Sequence, residues 1–197
     1  GGGGIMLVES NPILNHVIID HNSTSNGNGG GLYMDMSSPI LTNCIINENM
    51  TGGAWVYGGG GIYMRWFSSP TLINVLISGN STNSNGGGIY VDEHSNPTFI
   101  HLTIVDNFSE QNGGGMHAYN FYNYPNIYMF NSIIWDNYPE SISASDFTYV
   151  GEHIMISHSN IENGWEGIGN IDIDPLFTNP ENGETLERKK VSTSLGS

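Results

Sequence analysis

Apolar residues return along this chain at one long period, with a short alternation of two inside each period. Ile5, Leu32, Ile62, Ile89 and Met116 each follow a run of glycines and are spaced 27, 30, 27 and 27 residues apart. Two positions on stand Leu7, Met34, Met64, Val91 and Ala118, so each pair shares one face of a short strand. Every period closes on an asparagine, at Asn22, Asn49, Asn80, Asn107 and Asn137. Counting back from it, Ile19, Ile46, Ile77, Ile104 and Ile134 occupy one column. Val17, Cys44, Val75, Leu102 and Ser132 form a second column, and Leu14, Leu41, Leu72, Phe99 and Met129 a third. A proline opens the middle of each period, at Pro12, Pro39, Pro70, Pro97 and Pro125.

This pattern predicts three short strands per period, each apolar on one side and parted by Gly, Pro or Asn turns. No single period can bury its own apolar side. Stacked coil on coil, with like residues about 4.8 Å apart, the periods make one continuous core. A polar column, His16, Asn43, Asn74, His101 and Asn131, runs beside the asparagines, and the two together predict two ladders of stacked side-chain amides at the corners. The ladder also explains four matches to the Asn-x-Ser/Thr acceptor pattern, at Asn22, Asn49, Asn80 and Asn107. Their amides are expected inside the stack, so glycosylation is not expected there.

Composition narrows the function classes. Asp plus Glu number 19 against four Lys plus Arg in 197 residues, for a net charge of −15. Three of the four cations are Arg188, Lys189 and Lys190, leaving Arg65 alone before them. So acidic a chain lacks the basic footprint of nucleic-acid or anionic-membrane binding. Cys44 is the single cysteine, which rules out an internal disulfide and a cysteine-based metal cluster. No apolar run is long enough to span a bilayer as a helix. The first glycine already lies within a period, so the chain reads as part of a longer protein.

The units "GGGIY" and "SxPTLxNxxIxxN" resemble those of right-handed parallel β-helix repeat proteins of the pectate-lyase-like superfamily, in the form carried by bacterial surface and secreted proteins. The stretch from "NSIIWDN" to "IDIDPLFTNPENG" resembles the segment that ends such repeats. The resemblance implies an all-β, right-handed single-stranded parallel β-helix of about five coils of 27–31 residues with a C-terminal capping segment. Residues 1–137 would form the five coils and 138–183 a last coil and cap, with 184–197 a disordered or foreign tail. It implies an extracellular or cell-surface location. The scaffold serves lyases, hydrolases, esterases and inert adhesins alike, so fold alone names no activity.

No signature of a polygalacturonase, pectin methylesterase or Gly-x-Ser-x-Gly hydrolase is found in the sequence. Asp35, Arg65 and Asp92 fall on one column and are the catalytic candidates. The two carboxylates would lie about 9.6 Å apart across two coils, near the roughly 6.5–9.5 Å used by inverting glycosidases. The plainer reading of this column is an ion-pair ladder on the surface. Beside it Tyr33, Tyr63 and Tyr90 form an outward column, which with Trp55, Trp66 and Tyr119 would make an exposed aromatic platform for sugar rings. Tyrosines stacked merely on one another are the alternative. Asp172, Asp174 and Asn170, in "NIDID" placed on a strand, are oxygen ligands suited to calcium; a solvated acidic cap is the other reading. The expectation is a structural or polysaccharide-binding segment, with a polysaccharide lyase, glycoside hydrolase or ester hydrolase as the catalytic alternatives.

Overall fold

The computed structural model describes residues 1–52, 57–92, 94–119, 125–145 and 153–178. Trp55 and the tail 184–197 lie outside them, so the expectations placed there have no structural counterpart.

The described chain is an all-β parallel solenoid of about five coils with almost no helix. Its first sheet stacks Ile5–Val8, Leu32–Asp35, Ile62–Arg65, Ile89–Val91, Met116–Tyr119 and Ile142–Ser145 in that order. The second and third sheets also have six strands each, beginning with Ile13–Asn15 and Ile18–Asp20. A fourth, of four two-residue strands beginning at Ser23–Thr24, follows the closing asparagines. Registers match the sequence columns one for one: Ile5 pairs Leu32, Leu41 pairs Leu72, and Ile77 pairs both Ile46 and Ile104.

The core follows from this register. Leu32, Met34, Leu41, Ile46, Ile62, Leu72, Ile77, Ile89, Phe99 and Ile104 are all fully buried. Each such side chain contributes about 1.5–3 kcal/mol when removed from water. Alternation sends Tyr33, Tyr63 and Tyr90 to the opposite face of the first sheet, outside the solenoid interior.

The closing asparagines form the expected ladder. The Asn49 backbone N–H and Nδ2 both donate to Asn80 Oδ1 at 3.0 Å, and Nδ2 also reaches Ile19 O at 2.9 Å. The same bonds recur from Asn22 to Asn49, from Asn80 to Asn107 and from Asn107 to Asn137. Between neighbouring rungs the donor is on the earlier coil and the acceptor on the later one.

The second amide ladder departs from expectation. Asn74 Nδ2 donates to Asn43 Oδ1 at 2.7 Å, but His16, Asn43, Asn74, His101 and Asn131 are exposed, with φ between 51° and 55°. They occupy a left-handed corner that asparagine tolerates, and their side chains face water. The buried polar spine lies elsewhere, in serines. Ser10 N donates to Ser37 Oγ at 3.0 Å and Ser37 N to Ser68 Oγ at 3.2 Å. At a different corner, between the second and third sheets, Leu102 N donates to Ser132 Oγ and Ser132 N to Ser159 Oγ.

Candidate functional site

The outer face of the first sheet collects most of the chemistry that the sequence singled out. Leu32–Asp35 and Ile62–Arg65 pair Tyr33 with Tyr63 and Asp35 with Arg65, and Ile89–Val91 sets Tyr90 beside Tyr63. The Asp92 backbone N–H donates to Met64 O, which brings Asp92 alongside Arg65. The predicted Asp35–Arg65–Asp92 column therefore exists.

The aromatic column exists too, but it is not a platform. Tyr63 is 0% and Tyr90 1% exposed, and Tyr33 is buried as well. Tyr33 and Tyr63 stack with centroids 5.6 Å apart, Tyr63 and Tyr90 at 5.1 Å, and Tyr90 meets Tyr119 at 6.5 Å. Rings repeated at the strand spacing bury one another's faces, which leaves no flat π-surface for a sugar. The half-buried Tyr119 flanks this second cluster instead of displaying it.

The cluster is polar at its rim. Tyr63 donates its hydroxyl to Asp92 Oδ2 at 2.7 Å, and Tyr33 donates to Asp35 Oδ2 at 3.4 Å. Burial, reinforced by the Asp92 charge, pushes the Tyr63 and Tyr90 phenols far above their usual range. Both hydroxyls are therefore donors at any physiological pH. Arg65 Nε lies 3.3 Å from Asp35 Oδ2, yet neither Nε nor Asp35 Oδ1 completes a hydrogen bond. The pair is a close charge contact with poor directionality, and its side chains are 33% and 15% exposed. It is more enclosed than the surface ladder that the sequence suggested.

His117 is the next rung after Tyr90, at 5.2 Å between centroids, and is 1% exposed. Its Nδ1 is 2.6 Å from Ser143 Oγ, and its Nε2 is 3.4 Å from Ser145 Oγ. Burial lowers its pKa to about 4, so the ring is neutral at pH 7. A neutral imidazole held between two hydroxyls, one on each nitrogen, is satisfied structurally and is too weakly basic to activate either serine efficiently.

Exposed aromatic surface lies at the turn that follows the third strand of this sheet. Between the strand and the serine spine, the first two coils have Val8-Glu9-Ser10 and Asp35-Met36-Ser37, whereas the next has Arg65-Trp66-Phe67-Ser68. Glu9, Met36 and Trp66 share a left-handed φ of 47–48°, the normal setting of this turn. Phe67 is the added residue, left-handed at φ 61°, and His94 occupies the same place one coil on at φ 63°. A bulky residue held so is disfavoured by about 1–2 kcal/mol. Trp66 is 49% and Phe67 61% exposed. The Arg65 guanidinium carbon sits 5.5 Å from the Trp66 ring centroid, and the His94 ring is 4.7 Å from Phe67. Each exposed ring thus has a neighbouring side chain against it.

The expected calcium ligands are not on a strand; Ile171 makes only an isolated bridge to Asn160. Asn170 continues the Ser132–Ser159 column as its next rung: its Oδ1 accepts from Ser159 N at 3.0 Å, and its Nδ2 donates to Ile156 O and Trp165 O. Asp172 Oδ1 accepts from Asn163 N, and Asp174 Oδ1 from Leu176 N. Among the described residues no three His, Cys, Asp or Glu side chains form a group fit for a metal.

Sequence reasoning missed the serine spine, the Phe67–His94 bulge and the Asn170 rung. The recurrent serine two residues before Pro12, Pro39, Pro70 and Pro97 was the available signal for the first. The extra residue between strand and serine was the signal for the second. The chain matches no protein-family model, and no curated protein or solved structure matches it significantly.

Proposed function

We propose that this chain is a structural segment of a bacterial extracellular or cell-surface protein, and that it contacts neutral polysaccharide through the Trp66–Phe67 turn. The observation that carries the structural half is the fate of the polar groups. The interior asparagine rungs, the Ser37–Ser68 contact, the Tyr63–Asp92 bond and the His117 hydroxyl clasp are all taken up within the fold. Such groups hold coils together and leave little reactive capacity. The glycan half rests on the two exposed and braced rings, whose faces suit the C–H face of a pyranose. The strongly acidic chain favours neutral over acidic polymers.

The test is binding of the intact chain to neutral polysaccharides, measured by affinity electrophoresis and calorimetry. Replacing Trp66 and Phe67 together by alanine should weaken binding about tenfold or more, which is ~1.4 kcal/mol. Retained binding would move the contact elsewhere, and no binding by the parent chain would reject the glycan half.

A further inference from the structure

The Trp66–Phe67 turn is one end of a strip that crosses the second sheet. The third coil leads from this turn through Thr71–Ile73 to Asn74, and the fourth from His94 through Thr98–Ile100 to His101. The two coils lie side by side in register, Thr71 against Thr98 and Ile73 against Ile100, and the Phe67 ring meets His94 at 4.7 Å. The segments between turn and strand are tied as well: Asn96 N donates to Ser69 Oγ at 3.2 Å, and Ser69 N to Ser38 Oγ at 3.0 Å. Thr71, Ile73, Thr98 and Ile100 are half-buried on the outer face of the sheet. Neither residues 66–78 nor residues 94–105 include an Asp, Glu, Lys or Arg, in a chain whose net charge is −15.

At its far end the strip opens into a groove of about 290 Å³, where the chain turns from the second sheet into the third. Asn43, Asn74 and His101 supply its polar lining, beside Ile45, Leu76 and Thr103. Amide-to-amide bonding stops inside this groove. Asn74 Nδ2 donates to Asn43 Oδ1 at 2.7 Å, whereas Asn74 Oδ1 and both His101 ring nitrogens have no hydrogen-bond partner among the described residues. An amide acceptor and an imidazole are therefore open to a ligand next to two aliphatic side chains, the mixture found in small-molecule clefts. Phe67 and Asn74 are seven residues apart, which is at most ~23 Å of extended chain.

We propose that this strip is one extended site, in which a single neutral oligosaccharide lies across the sheet from the Trp66–Phe67 rings to the Asn74–His101 groove. The site rests on the glycan contact proposed above for the turn, and adds to it the further residues and the ligand length. Charge selects the occupant. A strip without ions makes no pair with a charged polymer, and the acidic remainder of the chain repels an anionic one. Both strands are already paired on each side, which leaves no edge for a peptide to extend. The aromatic rings take the C–H face of a first sugar. Ile73 and Ile100 offer apolar contact to the next, and Thr71, Thr98, Asn74 and His101 offer bonds to hydroxyls. A ligand too short to reach the groove gains only the ring contact. One that spans the strip joins two contacts through a single chain, and the second then forms at high effective concentration.

The experiment is calorimetry of the intact chain with xylan, glucan and mannan fragments from di- to hexasaccharide, with far-UV circular dichroism to check that each variant is folded. Affinity for one series or more should climb with length by about tenfold and then level off. Asn74→Gly with His101→Gly keeps the left-handed corners while removing both side chains. It should bind the short fragments like the parent and lose the gain with length. Thr98→Glu, in the middle of the strip, should lose that gain too, whereas Trp66→Ala with Phe67→Ala should weaken every length. A parent that binds fragments without any gain in length overturns the proposal and leaves the Trp66–Phe67 contact standing. So does a folded Asn74→Gly, His101→Gly protein with the parent's length dependence. A parent that binds neutral polysaccharide but no fragment overturns the proposal alone, and one that binds neither overturns both. Self-association of the parent that Thr98→Glu abolishes would give the strip to a second copy and overturn the proposal.

Discussion

Replacing Asn80 by alanine should be among the most damaging single changes in the ladder, and the structure says by how much. Asn80 Oδ1 accepts from Asn49 N and Asn49 Nδ2, while its Nδ2 donates to Ile46 O and Asn107 Oδ1, all at 2.9–3.0 Å in a fully buried site. Four bonds are lost. Two survivors soften the loss: Asn49 Nδ2 keeps Ile19 O, and Asn107 Oδ1 keeps the Asn80 backbone N–H. The Asn49 backbone N–H has no substitute and is left buried without a partner. At about 1 kcal/mol net per bond, and about 1–3 kcal/mol for an orphaned buried donor, the cost is roughly 3–6 kcal/mol. That is a large part of the roughly 5–15 kcal/mol that holds most domains together. Asn22 supplies the control, because it donates to Asp20 O and Asn49 Oδ1 and nothing depends on its own oxygen. Asn22→Ala should cost about 1 kcal/mol. Urea unfolding followed by circular dichroism separates the two, with hydrogen exchange at Asn49 as a local reading. Costs for the two variants within about 1 kcal/mol of each other would show that the ladder bonds are not what holds the corners.

Other consequences are simpler to read. Ile77→Asp places a charge at a position that is 0% exposed, and should abolish the folded β signal; a variant melting like the parent would reverse the assignment of inner and outer positions. The His117 pKa is depressed to about 4 from 6.5, so its contribution is complete above pH 6.5 and is lost as pH falls towards 4. The shift corresponds to roughly 3 kcal/mol. His117→Gln should flatten that part of the stability–pH curve, and an unchanged slope would refute a buried neutral ring. Tyr63 and Tyr90 have raised pKa values, so phenolate absorbance should show them ionising only on unfolding, with stability falling as pH climbs above about 10. Arg65→Ala removes a partly exposed charge contact and should cost about 0–1 kcal/mol. If a polysaccharide lyase activity were found in the parent, its loss in a folded Arg65→Ala protein would make that column catalytic.

The sequence disclosed what periodicity controls. Columns of isoleucine, leucine and asparagine repeat at one coil length, so their stacking and the core they form were legible before any coordinates. Alternation also set Tyr33, Tyr63 and Tyr90 on the outer face of their strands. What alternation cannot express is whether that face meets water: the rings bury one another once they are copied at the strand spacing. The corner column failed for a related reason. His16, Asn43, Asn74, His101 and Asn131 recur because the backbone there is left-handed, and recurrence alone does not distinguish a turn requirement from a buried amide. Asn170 was hidden because it follows serines, Ser132 and Ser159, and stands only 11 residues after the second of them instead of a full coil away.

The stacking of each strand on its counterpart one coil away has a consequence for how the chain finds its fold. Partners such as Ile5 and Leu32, or Leu32 and Ile62, are 26 to 31 residues apart wherever they lie among the described residues. The loop that must close to form a strand pair is therefore nearly constant in size, set by a single coil and independent of total length. Folding can start at any coil and spread in either direction, each step meeting the same entropic barrier. Closure cost rises only with the logarithm of loop length, so the three residues that lengthen the second coil add almost nothing to it. Turns can accordingly acquire residues, as the Phe67 turn has done, without disturbing the register on which the next coil is laid down.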